Sequence, residues 1–232
     1  MTFAPSRLIA ALVLSSASLA AVAAPVTPSY TTFANLPGAT YGGSGIPTDP
    51  SAITTAGSLT LAMAATQRNS GPNLGNNGAG TYYANPGIST GAASTWNFDF
   101  YINDSANALN ANGLTYKLFY DFNPGVGTDQ SQLGVFDLSP FASGNTYQDS
   151  QNLGFAFLSQ PWPFITAPAG SFNALADGQY SFALVAYRGA DEVARSAILV
   201  DVGNVAVPEP ASLALLGFGL AGLGFMRRKA QK

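Results

Sequence analysis

Between residues 24 and 204 the side chains able to do chemistry are ten aspartates from Asp49 to Asp201, Glu192, four cations and two tryptophans, and the 232-residue chain holds no cysteine and no histidine. Without Cys there is no disulfide framework, thiolate zinc site, iron–sulfur cluster or cysteine nucleophile. Without His there is no Ser-His-Asp triad, and the usual near-neutral general base is missing. A carboxylate pair for glycoside hydrolysis is formally available, but the acids are scattered over turn sequences and strand positions and no motif sets two of them apart. A protein that is not an enzyme is expected. Arg68, Lys117, Arg188 and Arg195 face eleven carboxylates in this region, a net charge of −7 that argues against nucleic acid and anionic lipid as partners.

Two stretches have ligand-like spacing. In Asp121-Phe122-Asn123-Pro124-Gly125-Val126-Gly127-Thr128-Asp129, oxygen-bearing residues alternate with others, as in a calcium loop. Gly125 and Gly127 stand where further side-chain ligands would be wanted, no Glu closes the loop, and Asp, Asn, Pro and Gly also build ordinary turns. A turn is expected, with calcium on Asp121, Asn123 and Asp129 as the alternative and no other cofactor. Trp162, in Gln160-Pro161-Trp162-Pro163-Phe164, reads either as a stacking platform for a sugar or as a rigid plug over one end of the fold. The glycines of Tyr41-Gly42-Gly43-Ser44-Gly45 are followed by no Lys and no helix, so they are expected to be a loop rather than a phosphate cradle.

The two ends carry stronger signals. Arg7 precedes the apolar run Leu8 to Leu14 and small residues through Ala24, the layout of a secretory signal peptide over 1–23, with cleavage after Ala23 or, alternatively, Ala24. Its partners would be the Sec translocase and signal peptidase. At the other end, Val207-Pro208-Glu209-Pro210 leads into an apolar segment, 211–226, and a basic tail, 227–232. As a helix that segment spans ~24 Å, short of the ~30 Å hydrocarbon core, and it is diluted by four glycines, so it is a marginal anchor. Arg227, Arg228 and Lys229 would remain cytoplasmic as a stop-transfer signal. Pro208 and Pro210 hold Glu209 in extended backbone, accessible to a processing enzyme.

The Pro208-Glu209-Pro210 motif, the Gly/Leu-rich run and the basic end resemble the PEP-CTERM sorting signal of exosortase-bearing Gram-negative bacteria. The resemblance implies Sec export, a transient stay in the inner membrane, recognition by an exosortase, tail removal, and delivery to the cell surface or an exopolysaccharide-rich extracellular matrix. Asn152-Leu153-Gly154-Phe155, Asp177-Gly178-Gln179-Tyr180 and Ile198-Leu199-Val200-Asp201-Val202 are similar to segments recurring in a subset of such proteins. That subset has no generally assigned activity, so the expected role is structural or adhesive, in a biofilm-type matrix. The alternative is a carbohydrate-binding or carbohydrate-active module, calcium-dependent in one version.

The elements that must position these residues read as all-β. Apolar residues make up 47% of the chain and charged ones only 9%, with 25 Gly and 15 Pro, a composition of short strands joined by many turns. The expected architecture is a single antiparallel β-sandwich, immunoglobulin-like or jelly-roll-like, over 36–204, between an extended lead-in at 24–35 and a sorting signal with its C-terminal helix at 205–232. Period-two alternation marks strands at 58–63, 95–102, 114–122, 133–138, 152–158, 178–187 and 194–202. The runs 95–102 and 114–122 are expected to pair as a hairpin, setting Asp99 opposite Lys117 on an exposed face, and 178–187 and 194–202 as a closing hairpin around 188–193. Residues 71–80 are expected to be a surface loop.

Overall fold

The computed structural model describes residues 24–41, 50–69 and 74–204. They form twelve strands in chain order: β1 (Thr32–Asn35), β2 (Pro50–Ala56), β3 (Leu59–Gln67), β4 (Gly75–Asn76), β5 (Thr81–Ala84), β6 (Trp96–Asp104), β7 (Thr115–Tyr120), β8 (Gly134–Asp137), β9 (Thr146–Gln151), β10 (Ile165–Thr166), β11 (Gly178–Arg188) and β12 (Asp191–Val202). One sheet has the order β1-β2-β3-β6-β9 and the other β10-β8-β7-β11-β12-β5-β4. Packed face to face, they make the all-β sandwich that the composition implied. One ladder departs from the antiparallel expectation: β5 runs parallel to β12.

Within the long strands the alternate side chains take opposite sides. Trp96, Phe98, Phe100 and Ile102 of β6 are buried, as are Tyr116, Leu118 and Tyr120 of β7 and Tyr180, Phe182 and Leu184 of β11. Phe98 stacks on Phe182 across the layers at 4.5 Å and 21°, and Trp96 meets Phe182 edge-on at 6.1 Å. Aromatic pairs of this kind add about 0.5–1.5 kcal/mol each beyond the area they bury. β11 and β12 form the expected closing hairpin through a two-residue turn at 189–190.

Strand partners are another matter. β6 and β7 do not form a hairpin: β6 pairs with β3 and β9, β7 pairs with β11 and β8, and the two lie in opposite sheets. Side-chain period says which face of a strand is buried but leaves open which strand lies beside it. The connection is fastened locally, with Asp104 accepting the amides of Ala106 and Asn107 at 3.0 and 3.2 Å and Leu109 buried beneath it. Asp99 therefore lies between Ala64 and Ser150, fully buried, and Lys117 lies between Val185 and Asp137.

Two further expectations change. The 152–158 segment is a turn and a 3₁₀ helix (Ala156–Ser159), and the strand in this region is the preceding β9. Within 71–80, Leu74 is buried in the core and β4 pairs with β5, so one apolar side chain anchors a hairpin that polar composition disguised. In the lead-in, β1 is an edge strand on β2, and Pro25 and Ser29 bridge to Asp129 and Ala197 of the opposite sheet's side.

Candidate functional site

Two of the resembling segments are anchors of the fold. Asn152, fully buried, donates through Nδ2 to the carbonyls of Ser94 (3.1 Å) and Trp96 (2.7 Å) and to Asn97 Oδ1 (2.7 Å). Its Oδ1 accepts the amides of Ser94 and Gly154 at 2.9 and 3.0 Å. A Cβ on Gly154 would stand 2.0 Å from the Ala92 carbonyl oxygen, so only glycine admits this approach. Gly178 is likewise closed off by the backbone of Pro124, and Gln179 beside it donates to Asp201 at 2.9 Å. Asp177 accepts the amide of Asn204, pinning the last described residue to the domain.

The calcium candidates lie on successive turns. Oδ1 of Asp121, Asn123 and Asp129 each accepts a backbone amide two residues on, from Asn123 (2.8 Å), Gly125 (2.9 Å) and Ser131 (2.8 Å). These are the self-bonded turns that Asp and Asn favour. Among the described residues no group of three acidic side chains is placed to share a metal ion. Asp121 is buried, and that burial outweighs the hydrogen bonds from Asn123, Thr128 and Ser181, pushing its carboxyl up to about 6.

Trp162 is 52% exposed, and its ring lies parallel to Phe164, 6.3 Å away with 6° between the planes. A bridge to Ile165 and the bond from the Phe164 carbonyl to the Asp137 amide (2.8 Å) hold this turn at the head of β10. Trp162 and Phe164 form one wall of a cleft of ≈ 590 Å³ where edge strand β9 of one sheet faces β8 and β10 of the other. Phe141, 42% exposed, meets Phe164 edge-on at 5.0 Å, and Phe155 and Phe157 close the far side. The Arg68 guanidinium sits over the Phe155 ring at 5.2 Å.

The cleft's polar residues come from β9. Asp149 accepts the Ser150 amide and the Gln151 Nε2, both at 2.8 Å, and burial raises its pKa against those two bonds. Gln151 is 6% exposed, and its Oε1 accepts no hydrogen bond. Sequence reading missed Asp149 and Gln151. Thr146-Tyr147-Gln148-Asp149-Ser150-Gln151 is polar on both faces, so it shows no strand period, and only its pairing with β6 reveals which side faces inward. A larger depression, ≈ 780 Å³, lies where residues 24–29 cross the outer face of the other sheet beside Phe119 and Leu133.

Of the terminal candidates, Ala24 is exposed at the start of the described chain. Ala23, the sorting motif, the 211–226 run and the stop-transfer residues lie outside the described residues. Among the described residues no helix is long and apolar enough to cross a membrane.

Residues 206–229 match the PEP-CTERM protein-sorting motif. The chain carries a PEP-CTERM sorting signal. The matched stretch contains Pro208, Glu209 and Pro210 together with Arg227, Arg228 and Lys229. It marks an exported protein, sorted through a transient membrane stage with an exosortase as its processing partner. No curated protein and no solved structure matches the chain.

Proposed function

We propose that this is a non-catalytic surface protein whose sandwich domain is delivered to the cell exterior and held in an exopolysaccharide matrix. The observation that carries the reading is the PEP-CTERM match at 206–229. In this scheme the Sec translocase exports the chain and signal peptidase cuts after Ala23 or Ala24. The 211–226 segment then halts in the inner membrane, with Arg227, Arg228 and Lys229 on the cytoplasmic side. The exosortase recognises Pro208-Glu209-Pro210 as its substrate and removes the tail.

The geometry of the domain end supports that order of events. Asn204 is tied to Asp177, and Pro208 follows four residues later, a span of at most ~14 Å even when fully extended. The folded domain would therefore sit close to the membrane surface during processing, with the motif just clear of it. Glu209→Ala is expected to leave an unprocessed form in the inner-membrane fraction. Normal trimming and release of that variant, read by mass spectrometry of the C-terminus, would sink the proposal.

A carbohydrate-binding module is the second reading, favoured by one observation: the half-exposed Trp162 beside Phe164 on an open cleft. It is compatible with the first, because a matrix protein needs a way to stay in the matrix. A calcium-dependent version would rest on Asp121, Asn123 and Asp129 and would show as loss of glycan binding on adding a chelator.

A further inference from the structure

β9 carries the wrong residues for a core-facing edge. In its ladder with β6, Tyr147, Asp149 and Gln151 stand opposite Ile102, Phe100 and Phe98, all three fully buried on the inward face. Apolar side chains at 149 and 151 would close the sandwich there. Instead the strand sets a carboxylate and an amide on the floor of the aromatic cleft.

The floor is incompletely bonded. Gln151 Nε2 is committed to Asp149, while Gln151 Oε1 is buried without a donor. Leaving a buried acceptor unmet is costly. An ionised carboxylate has about four acceptor sites, and the Ser150 and Gln151 donors to Asp149 fill only part of that capacity. The groups left open are thus acceptors, and a ligand that satisfies them must bring O–H or N–H donors. Lining the same cleft, the half-exposed Trp162 ring lies parallel to that of Phe164. A flat apolar face on one side and several hydroxyl donors on the other is the chemistry of a pyranose ring.

We propose that this cleft binds a neutral pyranose unit of a polysaccharide, its C–H face against Trp162 and Phe164 and its hydroxyls donating to Gln151 Oε1 and Asp149. The Asp149 carboxylate disfavours uronate or phosphate-bearing sugars, as does the domain's charge of −7. The parallel open wall favours a flat ring over a branched aliphatic side chain, which gains more from a concave pocket. The inference deepens the matrix reading above and rests on it for the source of the polysaccharide.

Intrinsic fluorescence tests it directly, because Trp96 is 1% exposed in the core and Trp162 is 52% exposed on the cleft. The exported, processed protein is titrated with hexasaccharides of glucose, mannose, galactose and xylose, with oligogalacturonate as the charged comparison and a basic amphipathic peptide as the protein-partner comparison. The expected result is a saturable blue shift with at least one neutral sugar and roughly tenfold weaker response to oligogalacturonate. Trp162→Ala should abolish the shift and lower the calorimetric affinity by about tenfold or more, the scale of one lost stacking contact. Gln151→Leu, which removes the unmet acceptor without emptying the site, should lower affinity about tenfold while the protein stays folded. The inference is overturned by unaltered affinity in Trp162→Ala, by no saturable binding to any neutral sugar, or by a response to the peptide alone. A normally processed protein that ignores every sugar overturns the cleft assignment and leaves the sorting proposal standing. Normal trimming of Glu209→Ala overturns the sorting proposal and leaves the cleft assignment standing.

Discussion

Gln151 and Asn152 are neighbours in the chain with opposite fates. Asn152 turns into the protein and meets donors and acceptors with every polar atom of its amide, joining the β9 end to the start of β6. Gln151 turns toward the aromatic cleft and leaves Oε1 without a partner at 6% exposure. A fold keeps a buried amide when the amide is fully bonded, because loss of any partner costs more than an average hydrogen bond contributes. The unmet acceptor next to it has no such structural reason. The difference separates a residue that holds the sandwich together from one placed for something that arrives later.

The same contrast recurs in two buried aspartates. Asp104 accepts the Ala106 amide, then other donors including Asn112 Nδ2, and these hold its carboxyl down to about 2. Asp121 is pushed up to about 6 because burial outweighs its bonds.

Breaking the satisfied side should have the largest effect. Asn152→Ala strands the Ser94 and Gly154 amides and opens a small void, and is expected to cost about 4 kcal/mol of stability. For a domain of this size that lowers Tm by roughly 10 °C, measurable by thermal circular dichroism; a drop of only a degree or two would show that the network is not what joins β9 to β6.

Next comes pH. A carboxylate whose folded pKa is raised is protonated in the native state and ionised in the unfolded state between about 4 and 6, so it takes stability away as pH rises through that window. Acidifying from pH 7 to 5 should therefore stabilise the protein through Asp121 by about 1 kcal/mol, out of about 3 kcal/mol gained in all once the pH falls below about 4. Asp121→Asn should flatten the Tm-against-pH curve across that window; an unchanged slope would assign it to another group. Asp104 works in the other direction, its contribution being present above about 4 and lost as pH falls toward 2.

The smallest stability effects belong to the cleft. Gln151→Leu should change stability by less than about 1 kcal/mol, toward stabilisation, since a buried unmet acceptor is replaced by an apolar side chain. Trp162→Ala, at a half-exposed position, should stay within about 0.5 kcal/mol. Denaturant melts of both variants sharpen the comparison: a large loss in either would move that residue to the structural side.

Much of the fold was legible because it is local. Alternating aromatics in 96–102 and 180–184 named the inward faces, since successive side chains of a strand must point to opposite sides. The sorting signal was legible for a different reason: processing enzymes read such a segment as a linear sequence, so Pro208-Glu209-Pro210 and the basic end carry their meaning without a fold. Strand pairing beyond the closing β11–β12 hairpin was not legible. The aromatic faces of 96–102 and 116–122 suit a hairpin and an across-the-core contact equally well, and only the packing of β6 between β3 and β9 decides between them.

The cleft was the least legible feature of all. Trp162 stood out by residue type alone, whereas Asp149 and Gln151 lie in a run that is polar at nearly every position and so shows no inward side. Their meaning depends on β9 being the edge strand beside β6, on Phe98 and Phe100 standing opposite them in the ladder, and on Phe136 of β8 in the other sheet lining the same cleft. Sequence by itself determined the class of fold, the buried faces and the signals at the two ends, because each is written in nearest-neighbour pattern. Tertiary structure alone decided which residues meet at the open edge, because that is set by contacts between segments far apart in the chain.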